Sequence, residues 1–480
     1  MDATAADLTL VIDIGKSNAK LLLLDKQGTV VERHSRANAS VQSVLGYPAL
    51  DVHGLAQWMQ QTMAASPHAQ RCGHVITSTH GAALVALDDK GLAWEPLDYE
   101  YEAVAQDSAL QQAFADGSTF AETLSPELPA GLNAARQLGW MQNNHPEAWQ
   151  RTRCLMPYAQ YWAWLLSGVA CSEVSSLGCH THLWNPNTAS YSRLAQERGW
   201  AALFAPLRKA WEVVGPVRAE VAQQWGLPAR AQVHVGVHDS NACLARYLPR
   251  TAAADAAPQS LTLVSSGTWT VLMAPGASAH DLTAEKDMLA NVDVTGRMTP
   301  TARFMGGREF GVLLDGASPD AASWEVVQSL IDEQLMALPA FAAQGGPFAG
   351  RAGSVVRHAQ ALPMPTGTVL TEVQRAALAA LYCAQMTCWL IHALWGTNLS
   401  AHRVVVEGPL AHNAVYLAAL QALLPGANCF ASVDTVEGTA RGAWCLAQDA
   451  DAAQSGLLEP VSVAHVRGLD TYHGNWLARL

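Results

Sequence analysis

The chain has 480 residues, of which 50% are hydrophobic and 15% charged, and its formal net charge is −12 at pH 7. This length exceeds the roughly 250–300 residues at which one hydrophobic core stops growing, so two large domains are predicted. The composition argues against long disordered segments, and the negative charge argues against nucleic acid or anionic membranes as partners.

Cysteine usage and the apolar runs predict a cytoplasmic protein. The nine cysteines form no C-x-x-C pair and lack zinc-ligand spacing, so we expect buried thiols in a reducing compartment. The N-terminal MDATAADLTL has no basic segment or long apolar run, so no secretory signal is expected. The longest apolar runs are shorter than the roughly 18–20 residues that span a bilayer.

The first motif is LTLVIDIGKSNAKLLLLD, in which two apolar runs flank the polar stretch from Asp13 to Asn18. Its Gly-Lys-Ser is not a P-loop, because Leu10 stands where that loop needs glycine and a strand-like run follows where it needs a helix. We therefore predict a hairpin, followed by a third strand in TVVERHSRA.

The remainder of the first half alternates between strand and helix patterns. LAQWMQQTMAA predicts a helix, and HVITSTHGAALVALDD predicts a strand broken at Thr79-His80-Gly81. Residues 131–168 predict helices, and VHVGVHDS predicts a strand that leads into a helix in NACLARYL. Residues 250–260 are small and polar and contain proline, so they are the predicted linker.

The second half begins as the first does. LTLVSSGTWTVLMAPG, residues 261–276, predicts strand, turn and strand, and VVVEG, NAVYLAALQALLPG, NCFASV and GTARGAWCLAQ then predict strands and helices in alternation. We predict duplicated α/β domains that face one another, with residues 1–249 as the N-terminal domain and 261–480 as the C-terminal domain.

The two hairpin turns predict a nucleotide site. Turns whose backbone N–H groups point into a cleft bind anions, and glycine lets the backbone approach closely. The stretches Gly15–Asn18 and Ser265–Thr268 are therefore predicted to hold phosphates, with Lys16 or Lys20 adding positive charge. Asp13 would repel phosphate, so we predict that it acts on Mg²⁺ through bound water. Each turn taken alone could be an ordinary hairpin turn, with Asp13 as a local cap.

Asp239 is the second carboxylate of interest, because it follows an apolar strand and opens a predicted helix. One interpretation is a helix N-cap that satisfies free N–H groups. The other is a general base that takes the proton of an attacking hydroxyl, which phosphoryl transfer requires.

Four motifs carry a family resemblance. VIDIGKSNAK, VGVHDSNA, VSSGTW and VVVEGPLAHNAVYLAAL with VEGTARGAW resemble the FGGY carbohydrate kinases in order and spacing, from Leu8 to Ala447. The resemblance implies an α/β fold of two actin-like, ribonuclease H-like domains that flank a cleft for MgATP and sugar. It also implies transfer of the γ-phosphate of ATP to a sugar hydroxyl.

The predicted site residues follow from the turns and the resemblance together. Asp239 is the predicted catalytic base, and Asp13 and Asp239 are the predicted magnesium residues. The residues predicted to bind ATP are Gly15, Lys16, Ser17, Asn18, Lys20, Ser265, Ser266, Gly267, Thr268, Gly408, Asn413, Gly438 and Thr439. The residues predicted to bind the sugar are His80, Gly81, Asn133, Glu173, His238, Asp239 and Arg308. Packing between helix and strand is the alternative role for the glycines at 408 and 438, and a packed side chain is the alternative for His80.

This chain departs from the family pattern at three places. Glu407-Gly408-Pro409 replaces the usual Gly-Gly pair of the adenosine loop. Lys16 stands where a small residue or threonine is common, and either contacts phosphate or projects into solvent. WEPLDYEYEA lacks the arginine of a Trp-x-Asp-x-Arg-like sugar-binding stretch.

The predicted function is an ATP-dependent kinase that phosphorylates a terminal hydroxyl of a ketose, either a pentulose or a 6-deoxyhexulose. SSGTW and NNHPEAWQRTRCLMPYAQYWAWLLSG are similar to fuculose and rhamnulose kinases, and THGAAL is similar to xylulose kinases. The alternative is an actin-like or chaperone-like, ATP-driven conformational switch without a sugar substrate. The expected partner is a small-molecule sugar, with no nucleic acid and no membrane, and a homodimer is left open.

Overall fold

The computed structural model describes residues 6–117, 119–249, 260–448, 457–462 and 465–480. These residues pack as two compact units. Unit 1 consists of the described residues of Met1–Ala256, Ala290–Met298 and Val436–Ala453, and unit 2 of those of Ala257–Leu289, Thr299–Thr435 and Gln454–Leu480. The predicted linker at 250–260 lies outside the described residues except for Ser260, and the predicted domain boundary stays a prediction.

Strands and helices alternate along the first half of the chain. Its strands are β1 (Leu8–Ile14), β2 (Asn18–Leu24), β3 (Val30–Ala37), β4 (Ser40–Gln42), β5 (Pro48–Leu50), β6 (Cys72–Thr79), β7 (Leu84–Asp88), β8 (Gly91–Trp94), β9 (Cys154–Pro157), β10 (Trp184–Asn185), β11 (Ser190–Tyr191), β12 (Val213–Pro216), β13 (Gln232–His234) and β14 (Val237–His238). Its helices are α1 (Val52–Ala65), α2 (Ala103–Gln106), α3 (Ser108–Gly117), α4 (Phe120–Thr123), α5 (Ala134–Asn144), α6 (Pro146–Gln150), α7 (Tyr158–Ser167), α8 (Val174–Leu177), α9 (Arg193–Glu197), α10 (Ala219–Trp225) and α11 (Asp239–Ala245).

The second half follows the same alternation. Its strands are β15 (Leu261–Ser266), β16 (Thr270–Met273), β17 (Leu289–Val292), β18 (Met298–Phe304), β19 (Leu335–Leu338), β20 (Ser354–Arg357), β21 (Gln360–Ala361), β22 (Arg403–Glu407), β23 (Asn428–Ser432) and β24 (Leu458–Pro460). Its helices are α12 (Gly306–Leu314), α13 (Trp324–Asp332), α14 (Glu372–Trp395), α15 (Ala414–Leu423), α16 (Gly438–Leu446) and α17 (Leu469–Leu477).

The central sheet of unit 1 has the strand order β12-β13-β6-β1-β2-β3, and β14 also pairs with β6. Strand β1 is buried along its whole length, as its mostly apolar sequence predicts. It pairs antiparallel with β2 and parallel with β6. Strand β3 lies at the edge and alternates between half-buried and exposed residues. The predicted hairpin and third strand are confirmed.

Three parallel strands of unit 1 end together. Strands β1 and β14 both pair with β6, so that Ile14 and His238 each lie opposite Thr79, the last residue of β6. Residues that follow the carboxyl ends of neighbouring parallel strands meet at one edge of the sheet, where ligands of α/β proteins bind. This edge therefore brings together the first turn, His80 and Asp239.

The sheet of unit 2 contains the strand order β18-β16-β15-β22-β23-β24. Strands β15 and β16 form the predicted second hairpin. Helix α14 begins at a capping box made by Thr371 and Gln374 and is buried over most of its length. By length and composition it could cross a membrane, but 83% of its apolar window is buried inside the protein, so it is a core helix.

Two features differ from the predicted elements. Residues 131–168, predicted as helices only, contain strand β9, which pairs with β7. Helix α14 was not predicted, because its apolar residues surround the helix and leave no periodic polar face.

Candidate functional site

The first turn is pinned by backbone and side-chain hydrogen bonds. The Gly15 N–H donates to the Asn18 carbonyl at 2.9 Å, and Asn38 donates through its amide to Gly15 O and through its backbone to Ser17 O, each at 2.8 Å. Ser17 and Asn18 are exposed. The turn is therefore held in one conformation with its polar residues open to solvent.

Asp13, at the end of β1, is 6% exposed. Its Oδ2 accepts a hydrogen bond from the Thr439 hydroxyl at 3.1 Å and lies 3.9 Å from Lys20 Nζ. Lys20 is also 3.2 Å from a carboxylate oxygen of Glu437. Burial raises the pKa of Asp13 to about 6; Lys20 and Thr439 oppose this shift, while the charges of Asp239 and Glu437 add to it.

Asp13 suits a hard divalent cation. A buried carboxylate whose pKa stays high beside a lysine has too little positive charge around it, and its oxygen is a ligand type that Mg²⁺ prefers. The described residues include no group of three or more His, Cys, Asp or Glu side chains with metal-binding geometry. Mg²⁺ is commonly held by one or two carboxylates together with substrate phosphates, so the residues present fit such an ion.

Asp239 is the first residue of α11 and does not cap the helix. The N-cap residue is His238, and Asp239 Oδ1 accepts from the adjacent Ser240 N–H at 2.6 Å instead of from a later turn. The N-cap interpretation is therefore wrong. The Asp239 side chain is 29% exposed and lies 3.2 Å from His238 Nε2. Asp239 lines neither the cavity of about 260 Å³ in unit 1 nor the one of about 810 Å³ in unit 2.

His80 and Gly81 lie beside this carboxylate. His80 Nδ1 donates to the Gly81 carbonyl at 2.8 Å, and its ring lies 5.4 Å from the rings of Tyr99 and Tyr158. Burial lowers the pKa of His80, and the Asp239 charge opposes that shift. A Cβ at Gly81 would lie 2.9 Å from His238 Nε2, so glycine is needed for this close approach.

Lys16 does not project into solvent. Its ammonium pairs with Asp98, lies 3.4 Å from Glu100 Oε2 and sits 4.7 Å from the Tyr99 ring centroid. Lys16 and His80 line a cavity of about 260 Å³ in unit 1. Of the two roles left open for Lys16, the solvent-exposed one is wrong.

Asn133 and Glu173 are buried structural residues, which corrects their predicted role as sugar ligands. Each is 0% exposed. The Asn133 amide accepts from Leu128 N–H at 2.8 Å and donates to His180 O at 2.8 Å, so it ties loops together. Glu173 caps α8 by accepting from the Ser175 and Ser176 N–H groups at 2.9 and 3.1 Å.

We expect Glu173→Gln to flatten the pH dependence of stability. Burial raises the pKa of Glu173 from 4.5 to about 7, against its hydrogen bonds to Ser175 and Ser176. Between these values the native state holds a proton that the unfolded chain has lost, so the free energy of unfolding falls as pH rises. Glutamine has no such proton, and should remove about 3 kcal/mol of that fall. Urea unfolding between pH 4.5 and 7 measures how the free energy of unfolding changes with pH. The control is Glu147→Gln, at an exposed residue, which should show the same pH dependence as the wild-type protein. An equal pH dependence in Glu173→Gln and wild type would contradict the burial argument.

The second turn, in unit 2, is packed against two glycine-containing segments. The Ser266 hydroxyl donates to Glu407 O at 2.6 Å and accepts from Leu410 N–H at 3.0 Å. Gly408 has φ 79°, and a Cβ there would overlap the Ser266 carbonyl oxygen. A Cβ at Gly307 would likewise overlap the carbonyl oxygen of Gly267. Glycine is therefore required at both positions.

These segments surround a cavity of about 810 Å³, a size within the range of small-molecule sites. The predicted residues Ser266, Gly267, Thr268 and Asn413 line it. The other lining residues are Gly307, Arg308, Phe310, Gly311, Leu314, Pro319, Asp320, Ala322, Pro409, Leu410, His412, Ala414 and Val415. The cavity thus joins a glycine-rich polar end to an apolar wall. Sequence reasoning missed that wall, and the Gly306-Gly307 pair that opens α12 is the signal that could have found it.

Arg308, predicted to bind sugar, lines the unit 2 cavity. Two other predicted residues lie in unit 1, although both were expected in the 261–480 domain. Gly438 and Thr439, predicted to hold adenosine, belong to unit 1, and Thr439 contacts Asp13 there. The cause is chain topology, because α16 returns to pack on β1 and α11 of unit 1.

Comparisons with known proteins agree with this architecture. The N-terminal domain model of the FGGY family of carbohydrate kinases matches residues 8–245, and the FGGY C-terminal domain model matches residues 258–455. The solved structure of a carbohydrate kinase from Novosphingobium aromaticivorans is 32% identical, with a TM-score of 0.82 over 99% of this chain and 98% of that one. The chain belongs to the FGGY family of carbohydrate kinases. The predicted family and the predicted fold class of two actin-like α/β domains are confirmed.

Two curated FGGY kinases match at lower identity. An L-fuculokinase from Salmonella typhi is 25% identical over 280 residues, which cover 56% of each chain. A xylulose kinase from Staphylococcus epidermidis is 25% identical over 248 residues, which cover 49% of this chain and 48% of that protein. The matches span about half the length of these curated relatives.

Proposed function

We propose that this FGGY protein is an ATP-dependent kinase that transfers the γ-phosphate of MgATP to a terminal hydroxyl of a ketose. The observation that carries the proposal is the shared edge of β1, β6 and β14, where Asp13 lies near the end of β1 and His80 and Asp239 follow the ends of β6 and β14. Phosphoryl transfer needs positioning, charge neutralisation and a base, and this edge has residue types for all three.

Asp239 is the proposed general base of the reaction. It is partly exposed, it lies at the start of α11, and its Oδ1 is 3.2 Å from His238 Nε2. Its carboxylate would take the proton of the attacking hydroxyl. His80, kept neutral by burial, and the adjacent Gly81 would orient the sugar through hydrogen bonds.

The unit 2 cavity is the proposed nucleotide site. Its apolar wall at Phe310, Leu314 and Val415 suits a purine base, and its polar end at the second turn suits phosphates. Arg308 lines that polar end, so we reassign it from sugar to phosphate binding.

Asp13 is the proposed magnesium residue, with Asp239 near enough to shift its pKa. When bound, Mg²⁺ would neutralise charge on the transferring phosphoryl group. Lys20 and Thr439 hold the Asp13 carboxylate in place. Closure of the domains over the substrates, which would exclude water and limit idle ATP hydrolysis, remains a prediction.

The proposed substrate is a pentulose or a 6-deoxyhexulose, in line with relatives named xylulose kinase and L-fuculokinase. A cytoplasmic location and the absence of nucleic acid or membrane partners also remain proposals.

A coupled ADP-release screen over ketoses, polyols and aldoses tests the proposal. A sugar kinase should release ADP at a rate that depends on the ketose supplied. A rate that stays flat across the panel would instead favour the ATP-driven conformational switch, and a filament-forming switch should also polymerise when ATP is added.

We expect Asp13→Asn to lower magnesium affinity while raising stability. The Mg²⁺ concentration for half-maximal rate should rise about 10- to 100-fold, as for other residues that hold a metal through bound water. Removing a charge whose pKa burial raises from 3.8 to about 6 should increase the free energy of unfolding at pH 7 by about 3 kcal/mol. Magnesium titration of the rate and urea unfolding measure the two effects. Exposed Asp89→Asn should change neither, and an unchanged magnesium requirement in Asp13→Asn would contradict the assignment.

A further inference from the structure

The Lys16 side chain has a fixed place on the wall of the 260 Å³ cavity of unit 1. Its ammonium pairs with Asp98, a carboxylate that is 3% exposed. Asp98 is itself held by the Ser40 hydroxyl and by the Glu100 N–H at 2.9 Å. Because the partner is buried and anchored, Lys16 is a rigid hydrogen-bond donor and not a mobile surface lysine.

One donor of Lys16 remains available to a ligand. An ammonium group has three N–H donors, and Asp98 and Glu100 take two of them at most. The Glu100 contact is 3.4 Å long and its side chain is 67% exposed, so that contact is easily exchanged for a ligand group. Lys16 itself is 23% exposed and lines the cavity.

The cavity adjoins the surroundings of the proposed base. His80 lines it, and the charges of both Asp239 and Lys16 act on the His80 imidazole. A sugar bound next to His80, with the hydroxyl to be phosphorylated at Asp239, would therefore have its opposite end near Lys16.

The charges at this wall determine which chemical group of the sugar can bind next to Lys16. Lys16 carries one positive charge, and its partners Asp98 and Glu100 carry two negative charges. Asp51 also lines the cavity and pairs with Arg36, so the charges at this wall are net negative and disfavour a carboxylate. A methyl group placed there would leave the ammonium donor unpaired, whereas a hydroxyl accepts its hydrogen bond. The wall therefore suits a neutral, hydroxylated end.

We propose that Lys16 is a specificity-determining residue that hydrogen-bonds a hydroxyl at the end of the sugar remote from the phosphorylated hydroxyl. The preferred substrate is then a neutral ketose with a hydroxyl at that remote end, rather than a remote-end deoxy ketose or a sugar acid. This inference rests on the proposed sugar-kinase function and narrows its substrate class.

The test compares kcat/KM for pairs of ketoses that differ only by the remote hydroxyl. The wild-type protein should favour the hydroxylated ketose by about 10- to 100-fold, the value of a hydrogen bond to a charged group. Lys16→Met should bring this ratio close to one, Lys16→Arg should retain most of it, and exposed Lys26→Met should leave it unchanged. A wild-type preference for the deoxy ketose, or a Lys16→Met ratio equal to that of wild type, would overturn the inference.

Two further measurements separate folding and function from specificity. The double variant Lys16→Met/Asp98→Asn removes both charges together. It should fold even if Lys16→Met alone does not, because that single variant leaves the Asp98 charge buried without its partner. Its ratio of kcat/KM for the hydroxylated and the deoxy ketose should also be close to one. Thermal shift with the sugars alone, without ATP, reads binding directly. If hydroxylated ketoses raise the melting temperature only when Lys16 is present, the inference stands even where no sugar stimulates ADP release, and only the kinase function fails. If neither response occurs, both fail.

Discussion

Asp239→Asn should lower kcat by about 10²- to 10⁴-fold, the loss expected when a general base is removed. The asparagine keeps the size of the side chain and an oxygen for the Ser240 N–H, so the start of α11 should be preserved. The nucleotide site proposed for unit 2 does not include Asp239, so the KM for ATP should change little. Steady-state ADP release with a saturating ketose measures both constants.

The control for this variant is Asp281→Asn, which removes a carboxylate whose side chain is 70% exposed. It should leave kcat within about twofold of wild type, as is usual for surface substitutions. A near-normal kcat in Asp239→Asn, with the same ketose, would rule out Asp239 as the base.

Gly442→Ala should destabilise the protein by about 1–3 kcal/mol, because it forces two helices apart. A Cβ at Gly442 of α16 would overlap the carbonyl oxygen of Ala242 in α11. In an open helix the same substitution stabilises by about 1 kcal/mol, so the sign of the change reports the close contact. Helix α11 carries Asp239 and α16 carries Thr439, so kcat should fall as well. Urea unfolding and the kinase assay give the two values.

Gly474→Ala is the matched control for this prediction, because Gly474 lies within α17 and a Cβ there meets no atom within 4 Å. It should raise the free energy of unfolding by about 0.5–1 kcal/mol. If Gly442→Ala stabilised the protein as Gly474→Ala does, the close approach of α11 and α16 would be contradicted.

Local patterns predicted the parts of the fold that local chemistry determines. The apolar runs on either side of Asp13 and of the Ser265–Thr268 turn predicted both hairpins, since strand pairing across a short turn is decided within a few residues. The packing of α16 in unit 1 depends on contacts between segments that are distant in the sequence, so local patterns do not predict it. Because of this packing, Thr439 lies beside Asp13 in unit 1 and not in the predicted 261–480 domain.

Site residues could be predicted from the sequence where they lie at or next to the end of a strand. They could not be predicted where the role of a side chain depends on its burial. Asp13, His80 and Asp239 were found because each interrupts or ends an apolar run. Asn133 and Glu173 have polar side chains that suit a sugar, and only the structure reveals that loop backbones use up their hydrogen bonds. Lys16 was ambiguous for the same reason, since its partner Asp98 is 82 residues away in the sequence.

Phosphorus NMR of the protein with MgATP and a neutral ketose tests the central claim most directly, because it shows where the γ-phosphate goes. We expect a phosphate monoester resonance of the sugar to grow in step with ADP, in the wild-type protein and not in Asp239→Asn. Inorganic phosphate appearing in place of the sugar ester, at a rate independent of the ketose, would contradict the account.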